Sequence, residues 1–132
     1  MEQRLTILNS YRLNAPPEHF ARAIDVLARR VEAEGDPGVL SYRFFVHASE
    51  GTARGVIDYV NAAAWIGHHD IAMGWPEMSG LHSVASLTDI VFLGAMTSEI
   101  QAWIDRSTLT ARIRCGYAFA GGFQRRSDRW HD

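Results

Sequence analysis

The sequence predicts an α+β subunit of the ferredoxin-like, split βαβ type, and three observations lead there. Apolar residues recur with period two or with helical period in the order β-α-β-β-α-β. The breaks between segments carry Gly, Pro and Asn, and one hairpin is spelled out between residues 38 and 60. A further short helix and a last strand follow, so the expectation is an antiparallel sheet with two helices on one face and a C-terminal helix and strand extension.

Residues 4–13, RLTILNSYRL, alternate. Leu5, Ile7, Asn9, Tyr11 and Leu13 share one face of a strand, and Arg4, Thr6, Leu8, Ser10 and Arg12 share the other. Asn9 is the polar member of an apolar set. Pro16 and Pro17 open a helix in which Phe20, Ala21, Ile24, Leu27, Ala28 and Val31 recur at three and four. Gly35 and Asp36-Pro37-Gly38 stop it. GVLSYRFFVHA and GTARGVIDYV, joined by Ser49-Glu50-Gly51, form the hairpin. Leu40, Tyr42, Phe44 and Val46 share one face of its first strand, and Ser41, Arg43, Phe45 and His47 the other.

Asn61 suits the N-cap of a helix that runs to about Met73. Gly74 and Pro76 interrupt it, and a short piece over EMSGLHSVA follows. SLTDIVFLGAM is a central strand by its apolar, β-rich content. TSEIQAWIDRS is a short helix with Ser98 as its cap, ARIRCGYAFAGGF a last strand, and QRRSDRWHD a polar tail.

A length of 132 residues fits one domain, 1–132, with a core of about 3–97 and an extension over 98–132. A 47 % apolar and 21 % charged composition is that of a globular chain. The net charge of −2, with arginine as the only basic side chain besides histidine, argues against a nucleic-acid or anionic-membrane partner. Cys115 has no second cysteine to pair with and reads as a small buried apolar group. The opening MEQRLTILNSYRL lacks a basic region followed by an apolar run, and no stretch reaches the roughly 20 apolar residues that span a bilayer. The expectation is a cytoplasmic protein.

A sheet with helices on one side leaves the other side bare, yet SYRFF and DIVFLGAM are apolar on both faces. A second copy covering the bare face resolves this, so a homodimer is expected, with the C-terminal strand pairing with or wrapping round the partner.

The stretch AWIGHHD, residues 64–70, sets Trp65, His68 and His69 within about one turn of helix. It admits a metal site, an acid–base site or a packed helix. Adjacent histidines project about 100° apart, unlike the i and i+4 pair that binds metal from one helix face, so no metal is expected. With Ala62, Trp65, Ile66 and Met73 towards the sheet, His69 lies near their edge and His68 on the flank. Histidine is the side chain most easily poised for proton transfer near neutrality. Asn9, on an inward strand face, must find partners at a bulge or point into a cavity, since burying it unpaired costs about 1–3 kcal/mol. His82 reads as a loop or cap residue.

Several positions together resemble the antibiotic-biosynthesis monooxygenase-like domain over about residues 3–97: Pro37-Gly38 with Tyr42, then Tyr59, then Ala64-Trp65 and His68. The resemblance implies a ferredoxin-like subunit, a dimeric α+β barrel and a cavity between each sheet and its own helices. It implies cofactor-independent oxygenation of a small aromatic phenol or quinol, with His68 orienting the substrate or accepting its proton and Asn9 bonding an oxygen of substrate or dioxygen. Trp65, Tyr42 and Phe44 would wall the pocket, with His69 and His82 as further substrate contacts. The alternatives are a non-catalytic dimer that binds an aromatic metabolite, and haem binding or degradation through His82. In the haem degraders' pattern a tryptophan stands where this chain has His68, which departs from that activity.

Overall fold

The alternation in residues 4–13 is realised as β1 (Leu5–Leu13), the middle strand of the sheet in a computed structural model that describes residues 4–125. The polar tail expected over 124–132 lies almost wholly outside the described residues. After β1 come α1 (Pro17–Glu34), β2 (Val39–His47), β3 (Thr52–Tyr59), α2 (Ala62–Ala72), α3 (Pro76–Val84), β4 (Ala85–Leu93), α4 (Ser98–Arg106) and β5 (Arg112–Tyr117). The sheet runs β2-β3-β1-β4-β5. The first four strands pair antiparallel, as expected of a split βαβ unit. The fold is α+β, with helices packed against one face of a mostly antiparallel sheet.

The extension departs from the expected sheet. β5 pairs parallel with β4 of its own chain, because α4 supplies the crossover that a parallel pair requires. As an edge strand with one neighbour, β5 leaves Cys115 exposed, so the expected buried thiol is corrected. Thr97 rather than Ser98 caps α4: its hydroxyl accepts from Ile100 N at 3.1 Å, and Ser98 is already helical. Asn61 caps α2 as expected, accepting from Ala64 N at 2.9 Å. The piece after Gly74 is a full helix that Pro76 starts, and it carries His82 in its last turn rather than in a loop.

Two bulges decide which side chains face inward. In β2 the register slips between Val39 and Ser41, and Leu40 turns outward while Val39, Tyr42 and Phe44 face the helices. That corrects the expected grouping of Leu40 with Tyr42. In β4 an extra residue sits near Thr88, opposite Ser10 and Tyr11, and Thr88 Oγ1 donates to Ser10 O at 3.1 Å. The slip lets Ala85 and Leu87 share the inner face with Ile90 and Phe92, although their spacing breaks period two.

The inner face is covered by two separate apolar groups. One joins Leu5, Ile7, Ile57, Tyr59, Trp65, Phe92 and Ile100 under α2 and α4. The other joins Tyr11, Phe20, Leu27, Val31, Ala72, Met78 and Leu81 under α1 and α3. Each large apolar side chain buried this way contributes about 1.5–3 kcal/mol. Arg30 ties α1 to α3, bonding Glu77 at 2.9 Å with its guanidinium 4.3 Å from the centre of the Trp75 ring.

The loop before β2 is locked onto α2 by two glycines. Asp36 Oδ1 accepts from Gly38 N at 2.7 Å. A Cβ on Gly38 would collide with Ala64, and one on Gly67 would collide with the Asp36 carboxylate. The strain of Gly67→Ala exceeds the roughly 1 kcal/mol that alanine gains in a helix interior, for a net destabilisation of up to about 2 kcal/mol. A urea unfolding midpoint equal to or above that of the parent would contradict this packing.

Candidate functional site

The two groups of buried side chains are bridged by Val39, Tyr42, Phe44 and Leu87 of the sheet, and a cavity of about 820 Å³ is lined by members of both. Its floor is the inner face of β1, β3 and β4. Its walls are α2 and α3, and its far side is the end of α4 with the loop 107–111. The break at Gly74-Trp75-Pro76 separates α2 from α3 and holds the space open. Exposed lining residues, among them Asp70, His82, Arg106 and Thr108, mark where it opens.

Of the residues singled out in the sequence, Asn9, Tyr42, Trp65, His68, His69 and His82 all line this cavity. Phe44 does not. It packs edge-on against Tyr42 at 4.8 Å between ring centres and covers Gly55, where a Cβ would come within 2.6 Å of its ring. Asn9 sits between Gly55 and Ile90 in the ladder. Its Nδ2 donates to Tyr11 Oη at 3.1 Å, and its Oδ1 is buried without a partner.

His68 is among the most buried side chains of the chain, at 2 % exposure, so the expected flank position is corrected. Ala64, Trp65, His68 and Ala72 form the buried stripe of α2, rotated from the face expected. On its other side, Gly67 faces the Asp36 carboxylate with no room for a Cβ, so this side of α2 meets the loop before β2. His68 packs against Tyr42 and Tyr59, and its Nδ1 is buried with no hydrogen-bond partner. His69 stacks on Trp65, with ring centres 3.9 Å apart, and its Nδ1 lies 2.7 Å from Trp65 O.

Tyr11, Tyr59 and Trp103 also line the cavity, although the sequence does not mark them as site residues. Tyr11 is within reach of sequence reasoning, because it lies two positions from Asn9 on one strand face. Trp103 is not. It meets Trp65 edge-on at 5.3 Å across 38 positions of chain, and its Nε1 donates to Asp70 Oδ1 at 2.8 Å.

The floor is electrically neutral at pH 7. Burial pushes Tyr11 up to about 12 and raises Tyr42 and Tyr59 as well. Burial pushes His68 down to about 4, with Asp36 opposing it. Burial and the neighbouring His68 push His69 down to about 3, against the hydrogen bond to Trp65. The site therefore offers unpaired hydrogen-bonding atoms, aromatic walls and uncharged imidazoles.

A haem fits poorly. His82, the residue that would ligate it, is exposed at the cavity margin on the last turn of α3, whereas metal-bound histidines are held by a second partner. Among the described residues no group of three His, Cys, Asp or Glu side chains is placed to hold a metal ion.

No family model and no curated protein matches the sequence. Solved structures do match its fold. MupZ from Pseudomonas fluorescens superposes with a TM-score of 0.65 at 15 % identity, over 95 % of this chain and 91 % of its own. SnoaB, a cofactor-independent oxygenase from Streptomyces nogalater, gives 0.57 at 12 % identity over 73 % of this chain and 96 % of its own. A provisionally assigned antibiotic biosynthesis monooxygenase from Caulobacter crescentus gives 0.61 at 18 % identity over 72 % and 92 %. The chain has the fold of the antibiotic-biosynthesis monooxygenase-like proteins. The likeness to MupZ takes in more than the 3–97 core, so the extension is part of the comparison.

Both buried imidazoles titrate below the ordinary value of 6.5 when folded. Between about pH 6.5 and pH 5 the unfolded chain binds more protons than the folded one. Stability therefore falls as pH falls, by up to about 1.4 kcal/mol per histidine for each pH unit. Urea midpoints should drop across this window, and His68→Leu should flatten the drop. A parent midpoint that holds level from pH 6.5 to pH 5 would refute the buried, neutral state of the histidines.

Proposed function

We propose that the protein is an oxygenase that needs no bound cofactor and acts on a small hydroxylated aromatic of phenol or quinol type. The observation that carries this reading is the pair of buried, unpartnered atoms, Asn9 Oδ1 and His68 Nδ1, set in one aromatic-walled cavity. An unpaired buried polar atom costs about 1–3 kcal/mol, and a ligand hydroxyl removes that cost. Three tyrosines and Trp65 line the cavity and give it aromatic walls. The likeness to a cofactor-independent oxygenase and to a provisionally assigned monooxygenase supports the reaction class.

In this reading Asn9 and His68 fix the substrate hydroxyl, and a histidine ring takes its proton. The electron-rich anion is then oxidised by dioxygen at a ring carbon. That carbon loses its single hydrogen and gains a carbonyl oxygen, the hydroxyl loses its own hydrogen as its oxygen becomes the second carbonyl of a quinone, and the other atom of dioxygen leaves with these two hydrogens as water. The substrate supplies the electrons. The cavity holds the ring, excludes water and orients it for attack.

The working unit in this proposal is a homodimer formed through the outer face of the sheet. The register there aligns Val56, Leu8 and Val91 in a row across the three inner strands, with Arg43 and Arg114 at its ends. Phe45 is 56 % exposed on the same face, in the next row. A second copy gives these side chains a cover. Light scattering on the purified chain should return twice the monomer mass, and Leu8→Arg should return the monomer.

Oxygen uptake with a panel of quinols and naphthols tests the activity. Turnover is expected with at least one, and His68→Ala should lower kcat/KM by about 100-fold. Saturable quenching of tryptophan emission with no oxygen consumed would replace this reading with that of a binding protein, and a Soret band on mixing with hemin would favour haem. Undiminished turnover in His68→Ala would remove His68 from the mechanism.

A further inference from the structure

Resting on that reading, we infer that His69 is the group that takes the substrate's proton, at Nε2, and that the Trp65 carbonyl holds it in the tautomer that can do so. His69 Nδ1 lies 2.7 Å from Trp65 O. A carbonyl oxygen only accepts hydrogen bonds, so Nδ1 carries the hydrogen. In the neutral ring Nε2 is then left with a bare lone pair.

The ring is also fixed in place. It stacks on Trp65 with 29° between planes, and the edge of Trp103 meets it at 5.2 Å. Trp103 is itself pinned by its bond to Asp70. His69 thus presents one basic nitrogen from a ring held on several sides, along the cavity wall.

His68 is arranged differently. Its Nδ1 has no partner, so no protein group selects its tautomer, and it can donate to or accept from a ligand as the ligand requires. The two rings are 5.0 Å apart and nearly perpendicular, on the same cavity. His68 and Asn9 suit the positioning of a hydroxyl, and His69 suits the removal of its proton.

The step is a proton transfer. The O–H bond of the aryl hydroxyl breaks, an N–H bond forms at His69 Nε2, and the electron pair stays on the substrate oxygen. The product is an imidazolium beside an aryloxide. The Nδ1–H bond to the Trp65 carbonyl becomes charge-assisted at that moment and strengthens. The charged groups nearby are Asp36 facing His68, Asp70 on the same helix and Arg106 from α4, while the sheet contributes only the phenols of Tyr11, Tyr42 and Tyr59. In the empty site the ring stays neutral, so ionisation comes with the bound aryloxide. That favours substrates whose hydroxyl is already acidic.

Para-nitrophenol tests this without turnover, since its aryloxide absorbs visibly. At a pH below the probe's own pKa, binding to the parent protein should quench tryptophan emission and raise the aryloxide band. His69→Phe keeps the stacked ring and removes both nitrogens. It should still bind the probe, and the bound aryloxide fraction should fall by about tenfold or more, which is at least about one pKa unit in the bound probe. His69→Gln should lose the band as well, and His68→Leu should weaken binding but keep it. Nitrogen NMR should find His69 Nε2 without a proton in the free protein. A band that survives in His69→Phe, or a proton on Nε2, overturns the assignment. Probe binding without any aryloxide band overturns it alone, whereas no quenching at all overturns the aromatic-site reading beneath it.

Discussion

The structure depends on one constraint: the helices cover a single sheet face with two groups of buried side chains, bridged by the half-buried Val39, Tyr42, Phe44 and Leu87. A domain of this size ordinarily closes one contiguous core. Here α2 with α4 and α1 with α3 build a group each, and the two are joined through the sheet and through Ala72 at the end of α2, which packs in the second. The cavity is lined by both groups, and α2 and α3, parted at Gly74-Trp75-Pro76, both contribute to its wall. Asn9, in the middle of β1, faces that space.

The apolar framework sets the chemistry as much as the polar residues do. Two bulges choose the lining, turning Leu40 out of β2 and bringing Leu87 into register beside Ile90. Gly67 of α2 meets Asp36 closely, while His68 packs against Tyr42 and Tyr59 of the sheet. Burial then strips charge from every titratable group on the floor. A neutral, largely buried floor strengthens whatever electrostatic interaction a ligand introduces, because buried charges are screened less than exposed ones.

Much of this is legible in the chain. The helix over 17–34, the hairpin, Asn61 as a cap and the β-α-β-β-α-β order all follow from periodicity and breakers, which are local signals. The position of Asn9 on the inward face follows from strict alternation. The orientation of α2 does not, because its apolar residues are spread around the helix and give no dominant face. The slip in β4 is hidden as well, since a bulge leaves no mark in composition. The parallel pairing of β5 and the arrival of Trp103 at the site depend on contacts between segments far apart in sequence. The exposure of Cys115 follows from that pairing, and a lone cysteine carries no sign of it.

The cavity takes its floor and its rim from different parts of the chain. Tyr11, Asn9 and Tyr59 belong to the sheet, whereas Trp103, Arg106 and the loop 107–111 come from the segment after β4. The floor is thus anchored in the sheet, apart from the loop 107–111 that closes the far side. Under the proposed reading, changing that loop would alter the outline a ligand meets and leave the strands beneath it in place.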